Sequence, residues 1–179
     1  MEIKLIACDL DGTLLDSRGR LSPENLDAIR RMTDKGYCFV PTSGRNREQI
    51  PQALQQLPGI RYLIALSGAC VTQLPEGKAL FRHPLSREHA NRLLCIGKQQ
   101  GAAVLLYTPE GVLLEHGALE QRQDRALLED AIGACRQVED AQAFCLAEDV
   151  QVEKAVFFCR DAAQETRLHQ ALDDGTFQL

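Results

Sequence analysis

The sequence predicts an α/β fold with a parallel sheet for its first 80 residues, followed by a smaller α+β portion. Apolar segments of strand length alternate in the first portion with segments of helical periodicity, in the order strand, helix, strand, helix, strand. Because strands joined through helices pair in parallel, this order indicates a layered α/β architecture. The alternation ends beyond about residue 75, where residues 74–78 form a predicted turn. The chain is therefore expected to divide near residue 80.

Local signals place the elements of the first portion. The first apolar segment is interrupted only by Lys4, which suits a strand buried on both faces. Ser22 and Pro23 predict the start of a helix and Gly36 its end, since serine caps helices and proline fits their first position. Pro51 starts or kinks the second helix. The predicted elements are a strand at 3–8, a helix at 23–35, a strand at 37–40, a helix at 47–57 and a strand at 62–66.

The second portion mixes helices with a hairpin rather than alternating regularly. Residues 108–111 carry the turn chemistry of that hairpin, with a proline and a glycine between two apolar runs. The predicted elements are a helix at 86–100, strands at 103–107 and 112–115, a helix at 119–135, a strand at 152–159 and a helix at 161–172.

Composition excludes several classes of protein. The chain has 179 residues, a formal net charge of −5 and a pI of about 5.4, which argues against binding to nucleic acid or to anionic membranes. Seven cysteines without a CxxC motif indicate neither a disulfide framework nor a zinc site, and we interpret them as small buried residues in a reducing compartment. No apolar stretch approaches the ~20 residues of a membrane span. We therefore expect a cytoplasmic protein.

Two polar loops follow the predicted strands and carry the candidate chemistry. Ligands of parallel sheets bind beyond the carboxyl ends of the strands. Asp9 and Asp11 flank a tight turn there, and a carboxylate can attack phosphorus while a second carboxyl transfers protons. Ser43 and Gly44, in the second loop, could hold phosphoryl oxygens. Two carboxylates facing a phosphate need Mg²⁺ or a lysine to offset their charge. The alternative for each loop is an ordinary solvated turn.

These two loops resemble sequence motifs of a known family. Residues 9–15, DLDGTLL, at the end of an apolar strand resemble motif I of the haloacid dehalogenase (HAD) superfamily, and residues 43–45, SGR, resemble motif II of its phosphatases. Residues 66–69, LSGA, and the later α+β segment are similar to the Cof-type subfamily, subclass IIB. The resemblance implies a partial Rossmann-like core, three-layer αβα with a parallel sheet, at residues 1–80. Residues 81–179 would then form an α+β cap that is incomplete by the family's pattern.

The resemblance also implies roles for individual residues. Asp9 matches the nucleophile and a direct Mg²⁺ ligand. Asp11 matches the general acid/base, with its backbone carbonyl on the metal. Leu10, Ser43 and Gly44 match phosphate-binding positions. The implied reaction is Mg²⁺-dependent hydrolysis of a small phosphorylated metabolite through an aspartyl phosphate on Asp9.

Two neighbouring positions are less defined by the resemblance. Arg45 follows motif II and is a candidate substrate-binding residue, the alternative being a solvated residue at the start of a helix. Ser67 stands before Gly68, where the family usually has asparagine. The resemblance therefore leaves the role of Ser67 open.

Two further motifs of the family are not found in this sequence. They are a lysine or arginine that balances the charge of the nucleophile, and an acidic cluster, GDxxND, that completes the metal site. Lys154 and residues 173–175 are the nearest substitutes, but Lys154 matches a position on a cap strand, and residues 173–175 follow a helix rather than an apolar strand. The chain thus looks C-terminally truncated, and we expect weak Mg²⁺ binding and impaired activity from it alone.

The same truncation carries a structural expectation and an alternative function. In the family, the first strand lies between the second strand and a strand of the missing part, so residues 3–8 should form an unpaired edge through which chains could associate. The alternative to an enzyme is an inactive chain that binds a metabolite or a protein. The sequence does not specify the substrate, because the cap selects it.

Overall fold

The computed structural model describes residues 3–119, 135–173 and 175. The chain divides into two compact units. The units comprise residues 1–83 and 84–179. The boundary lies slightly beyond the predicted residue 80, because residue 80 falls inside a strand that continues to Arg82.

The first unit is built on a five-stranded sheet with the order β1-β2-β3-β4-β5. Strands β1, β2 and β3 are parallel, as predicted, whereas β4 and β5 form an antiparallel hairpin that the sequence analysis did not foresee. The sheet is therefore mixed rather than wholly parallel. The elements are β1 (Leu5–Asp9), α1 (Pro23–Asp34), β2 (Cys38–Thr42), α2 (Gln52–Gln55), β3 (Tyr62–Ala65), β4 (Cys70–Gln73) and β5 (Lys78–Arg82).

Local signals explain where the helices begin and end. The Ser22 hydroxyl accepts a hydrogen bond from the Asn25 N–H at 3.1 Å, and α1 starts at Pro23 as predicted. The single helix expected at 47–57 is instead a 3-10 turn at Arg47–Gln49 followed by the short α2. Pro51 separates them because it has no N–H to donate to a continuous helix.

One apolar core joins β1, β2 and β3 to α1 and α2. Ile6 and Cys8 of β1 pack against this core, whereas Leu5, on the opposite face of the strand, is 57% exposed. The prediction that β1 is buried on both faces was therefore wrong. The core cluster consists of Leu10, Leu14, Leu15, Ile29, Phe39, Ile50, Leu54, Leu57, Ile60, Leu63 and Leu74.

The second unit contains a four-stranded sheet with the order β8-β7-β6-β9. Strand β6 is antiparallel to β7 and β9, and β7 is parallel to β8. The hairpin predicted around residues 108–111 joins β6 to β7. The elements are α3 (Arg87–Gln100), β6 (Ala103–Thr108), β7 (Gly111–Glu115), β8 (Cys135–Val138), α4 (Ala141–Ala147), β9 (Lys154–Phe158) and α5 (Ala162–Leu172).

The helix predicted at 119–135 lies almost wholly outside the described residues, and its last residue, Cys135, begins strand β8 instead. Both faces of the second sheet carry apolar residues: Val104 and Leu106 pack with helices α3 and α4, while Leu105 and Leu114 belong to a separate cluster. No helix within the described part of the chain is long and apolar enough to cross a bilayer.

Candidate active site

The two predicted loops meet at one edge of the first sheet. Parallel register places Asp9, the last residue of β1, opposite Thr42, the last residue of β2, and Thr42 opposite Ile64 of β3. Residues 10–15 and 43–45 therefore leave neighbouring strands at the same end. This edge is where ligands of parallel sheets bind.

Leu10 anchors the first loop. Its side chain is fully buried, and its carbonyl oxygen accepts N–H bonds from Thr13, Leu14 and Leu15 at 3.3, 3.0 and 2.8 Å. Gly12 lies in this turn at φ +75°, a conformation that favours glycine. The burial of Leu10 turns the flanking Asp9 and the neighbouring Asp11 outward, so both carboxylates are exposed.

The Asp9 carboxylate has one weak contact in its own loop. The Thr13 hydroxyl lies 3.4 Å from Asp9 Oδ2, which is longer than the usual hydrogen bond between oxygens. Cys8, the preceding residue, has its thiol pKa raised by burial and, to a lesser degree, by the negative charge of Asp9. Cys8 therefore favours the neutral thiol beside the exposed carboxylate, in agreement with its interpretation as a packing residue rather than a nucleophile.

Ser43 is held by the strands around it. Ser43 is only 3% exposed, and its backbone N–H donates to the Ile64 carbonyl at 2.9 Å. The Ser43 hydroxyl oxygen accepts from the Arg45 N–H at 3.1 Å. Since a hydroxyl can donate as well as accept, this arrangement leaves its hydrogen free to donate to a ligand.

The turn after β3 is bonded to the second loop. The N–H groups of Leu66 and Ser67 donate to the carbonyls of Arg45 and Ser43 at 2.9 and 3.0 Å. Leu66 and Ser67 both have positive φ, +53° and +57°, which is unusual for residues other than glycine, asparagine and aspartate. This departure from extended backbone ends β3 at Ala65, one residue before the predicted end.

Arg45 binds Asp11 across the two loops. Its Nε donates to Asp11 Oδ2 at 2.9 Å, and one terminal nitrogen donates to Asp11 Oδ1 at 2.6 Å. The other terminal nitrogen donates to the Gln49 carbonyl at 3.0 Å. The sequence predicts both residues at the site but does not predict this ion pair. The adjacency of two parallel strand ends was the available signal, although it does not indicate where side chains point.

The described residues offer few side-chain ligands for a metal ion. No cluster of three or more histidine, cysteine, aspartate or glutamate side chains suitable for a metal is present among them. Mg²⁺ is commonly held by one or two carboxylates, with waters and substrate phosphates completing its octahedron. The carboxylate of the exposed residue Asp9 and the backbone carbonyl of Asp11 are oxygen donors, and their chemistry fits that kind of incomplete protein site. Lys154 is the nearest substitute in this sequence for the lysine or arginine that balances the charge of the nucleophile in the family. It lies on β9 in the second unit.

Comparison with known proteins now identifies the family. A family model described as haloacid dehalogenase-like hydrolase matches residues 6–178. The chain belongs to the haloacid dehalogenase-like hydrolase family. The resemblance inferred from residues 9–15 and 43–45 is thereby confirmed.

Curated relatives of this HAD chain are phosphatases. Phosphatase YwpJ of Bacillus subtilis is 33% identical over 92 residues, which cover 51% of this chain and 32% of the relative. The 5-amino-6-(5-phospho-D-ribitylamino)uracil phosphatase YcsE of Bacillus subtilis is 39% identical over 69 residues, covering 38% of this chain and 28% of the relative. The matched segments thus span about a third of the length of these relatives.

A solved structure shows the same fold over nearly the whole chain. A haloacid dehalogenase-like hydrolase from B. subtilis superposes with a TM-score of 0.76 at 19% sequence identity, covering 96% of this chain and 67% of that protein. At this identity the likeness supports the mixed α/β fold and carries no statement about substrate.

Proposed function

We propose that this HAD chain carries the nucleophile and phosphate-binding loops of a phosphatase that hydrolyses small phosphorylated metabolites. The observation that carries the proposal is the register of β1 and β2, which places the Asp9–Asp11 loop beside the Ser43 loop. Membership of the family and the phosphatase names of its relatives support the same reaction class.

The two carboxylates would divide the chemistry. An oxygen of Asp9 attacks phosphorus, and the bond from phosphorus to the leaving alkoxide breaks, giving an aspartyl phosphate. Asp11 in its protonated form gives its proton to that alkoxide and afterwards takes one from water. Attack of this water on phosphorus releases inorganic phosphate and restores the Asp9 carboxylate.

Phosphate would be held by groups that the loops already orient. The Ser43 hydroxyl retains a hydrogen to donate to a phosphoryl oxygen, because its own oxygen is the acceptor for the Arg45 N–H. The backbone N–H groups of Leu10 and Gly44 are the further donors that we assign to the phosphoryl group. Arg45, whose guanidinium faces the same loops, is a candidate contact to the substrate.

Mg²⁺ would be held by the Asp9 carboxylate and the Asp11 backbone carbonyl. When bound, it supplies positive charge that offsets the repulsion between the carboxylate and the phosphate dianion. The substrate class, a small phosphorylated metabolite, follows from relatives such as the phosphoribitylaminouracil phosphatase.

Hydrolysis of p-nitrophenyl phosphate tests this proposal. We expect Mg²⁺-dependent release of p-nitrophenol by the full chain, and its loss by about 10³-fold or more in Asp9→Asn, since removal of a nucleophile abolishes the covalent step. Asp27→Asn is the matched control, because Asp27 is an exposed carboxylate on α1 that pairs with Arg31. Equal rates in Asp9→Asn and the unmodified chain would contradict the proposal.

The alternative is a chain that binds a phosphorylated metabolite without turning it over. The pairing of Arg45 with both oxygens of Asp11 favours it, since this carboxylate then has no oxygen free of Arg45 for proton transfer. Titration calorimetry with inorganic phosphate separates the two functions. Saturable binding by a folded chain that has no Mg²⁺-dependent turnover would support the binding function.

A further inference from the structure

Arg45 and Asp11 form a contact that the proposed reaction has to change. Two donors of one guanidinium reach both oxygens of one carboxylate, at 2.9 and 2.6 Å, across 34 residues of sequence. This fork-to-fork geometry is the strong form of the arginine–carboxylate pair. The side chains are 34% and 52% exposed, so a ligand can reach them.

The backbone of Arg45 and its third guanidinium nitrogen form hydrogen bonds with neighbouring loops. Its backbone N–H donates to the Ser43 hydroxyl oxygen, its carbonyl accepts from Leu66, and its third guanidinium nitrogen donates to the Gln49 carbonyl. The backbone of Arg45 is therefore tied to the Ser43 loop, while the remaining donors of its guanidinium point at Asp11. A small rotation about the terminal bonds of the side chain would change its partner without moving the loop.

The pair conflicts with the role assigned to Asp11. A carboxyl group that gives a proton to a leaving oxygen must turn one oxygen toward it, whereas the two bonds from Arg45 hold both Asp11 oxygens toward the guanidinium. Guanidinium forks bind phosphate in the same bidentate manner as carboxylate. A phosphoryl group at Ser43 would thus offer Arg45 an equivalent partner.

We propose that Arg45 exchanges partners when a phosphomonoester binds, moving at least one donor from Asp11 to the phosphoryl group and thereby freeing an Asp11 oxygen for proton transfer. This inference rests on the proposed function, and it assigns Arg45 a role that joins phosphate binding to the release of the acid/base. In the ligand-free chain the ion pair keeps Asp11 oriented, and phosphate is the signal that releases it.

Nitrogen-15 NMR of the full chain observes the exchange without requiring turnover. The Nε–H resonance of Arg45 is assigned by its loss in Arg45→Lys. We expect it to shift in Asp11→Asn, and to shift in the unmodified chain when inorganic phosphate and Mg²⁺ are added. The Nε–H resonance of Arg31, whose ion pair with Asp27 lies on α1, is the internal control and should not respond to either change.

Phosphate affinity and enzyme kinetics provide a second test of the exchange. We expect Arg45→Met to weaken phosphate binding by about tenfold, and Arg45→Lys by less, because lysine keeps the charge but loses the fork. If the chain hydrolyses p-nitrophenyl phosphate, Arg45→Met should raise KM, while Asp11→Asn should lower kcat at nearly unchanged KM. If Arg45 had only a structural role, its substitution would lower the free energy of unfolding without raising KM selectively.

The outcomes distinguish the inference from the proposed function. If phosphate shifts the backbone amides of Leu10 and Gly44 but leaves the Arg45 Nε–H in place, the exchange is wrong and the phosphate site stands. If phosphate shifts neither the amides nor Arg45, the phosphate site is wrong and the exchange falls with it. An Arg45 resonance that ignores Asp11→Asn would also overturn the exchange.

Discussion

At the scale of single residues, Asp16 organises the chain between the first loop and α1. Its Oδ1 accepts the N–H groups of Arg18 and Arg20, each at 2.9 Å, and its Oδ2 accepts from the Arg20 guanidinium. These hydrogen bonds lower the pKa of Asp16, the largest effect coming from the Arg20 N–H and the next from its side chain. The charged form is therefore the one that the folded chain favours.

Asp16→Asn should lower the free energy of unfolding at neutral pH. The folded pKa of Asp16 lies below its ordinary value of 3.8, so its stabilising effect is present above that value and is lost as pH falls through the folded pKa. Urea unfolding of both proteins at about pH 7 and about pH 2 checks this, with a smaller difference expected at the lower pH. A difference that persists undiminished in acid would contradict it.

Gly59 and Gly12 both adopt positive φ but differ in the space around them. A methyl group at Gly59, φ +92°, would come within 2.6 Å of Thr33 Cβ, whereas nothing lies within 4 Å of one at Gly12, φ +75°. We expect Gly12→Ala to cost about 1 kcal/mol through backbone strain alone, and Gly59→Ala about 3 kcal/mol through strain and overlap. Equal losses in urea unfolding would show that Thr33 yields freely.

At the scale of elements, strand β1 lies at one edge of the first sheet. Among the described strands it pairs only with β2, so no described strand covers its other edge, and Leu5 of this strand is 57% exposed. This edge agrees with the sequence prediction for residues 3–8. Unpaired apolar edges favour pairing with another chain.

Leu5→Lys should reduce self-association of the chain. A charge on the exposed face of β1 disfavours the approach of a second strand without disturbing Ile6 and Cys8, which face the core. Sedimentation velocity over a range of concentrations measures the effect. Leu80→Lys is the matched control, because Leu80 is exposed on β5 at the opposite edge of the sheet. A stronger effect from the control would place the association at β5 instead.

At the scale of the whole molecule, each of the two units has its own apolar clusters. Leu63 lies in the cluster of residues 1–83, and Leu106 lies in a cluster of residues 84–179. Both side chains are almost completely buried. Because Leu63 and Leu106 belong to separate apolar clusters, we expect a cavity at either position to weaken its own unit.

Leu63→Ala and Leu106→Ala should each weaken one unit. Truncation of a buried leucine costs about 2–5 kcal/mol, a large part of the stability of a small domain. Hydrogen–deuterium exchange should show faster exchange in β1–β3 for Leu63→Ala and in β6–β9 for Leu106→Ala. Equal acceleration in both units for either variant would show one cooperative fold.

Features that depend on neighbouring residues could be predicted from the sequence alone. Ser22 and Pro23 begin α1 where expected, and the turn chemistry of residues 108–111 forms the predicted hairpin, because caps and turns act within a few residues. The order of strands and helices also predicted the parallel register that joins the loops of Asp9 and Ser43.

The contacts between groups far apart in sequence became visible only in the packed fold. The fork between Arg45 and Asp11, the antiparallel strands β4 and β5, and the exposure of Leu5 were not foreseen. Side-chain direction and the covering of a sheet face depend on segments far apart in sequence. Periodicity and motif spacing report which residues are apolar or reactive, whereas the packed fold determines what each of them touches.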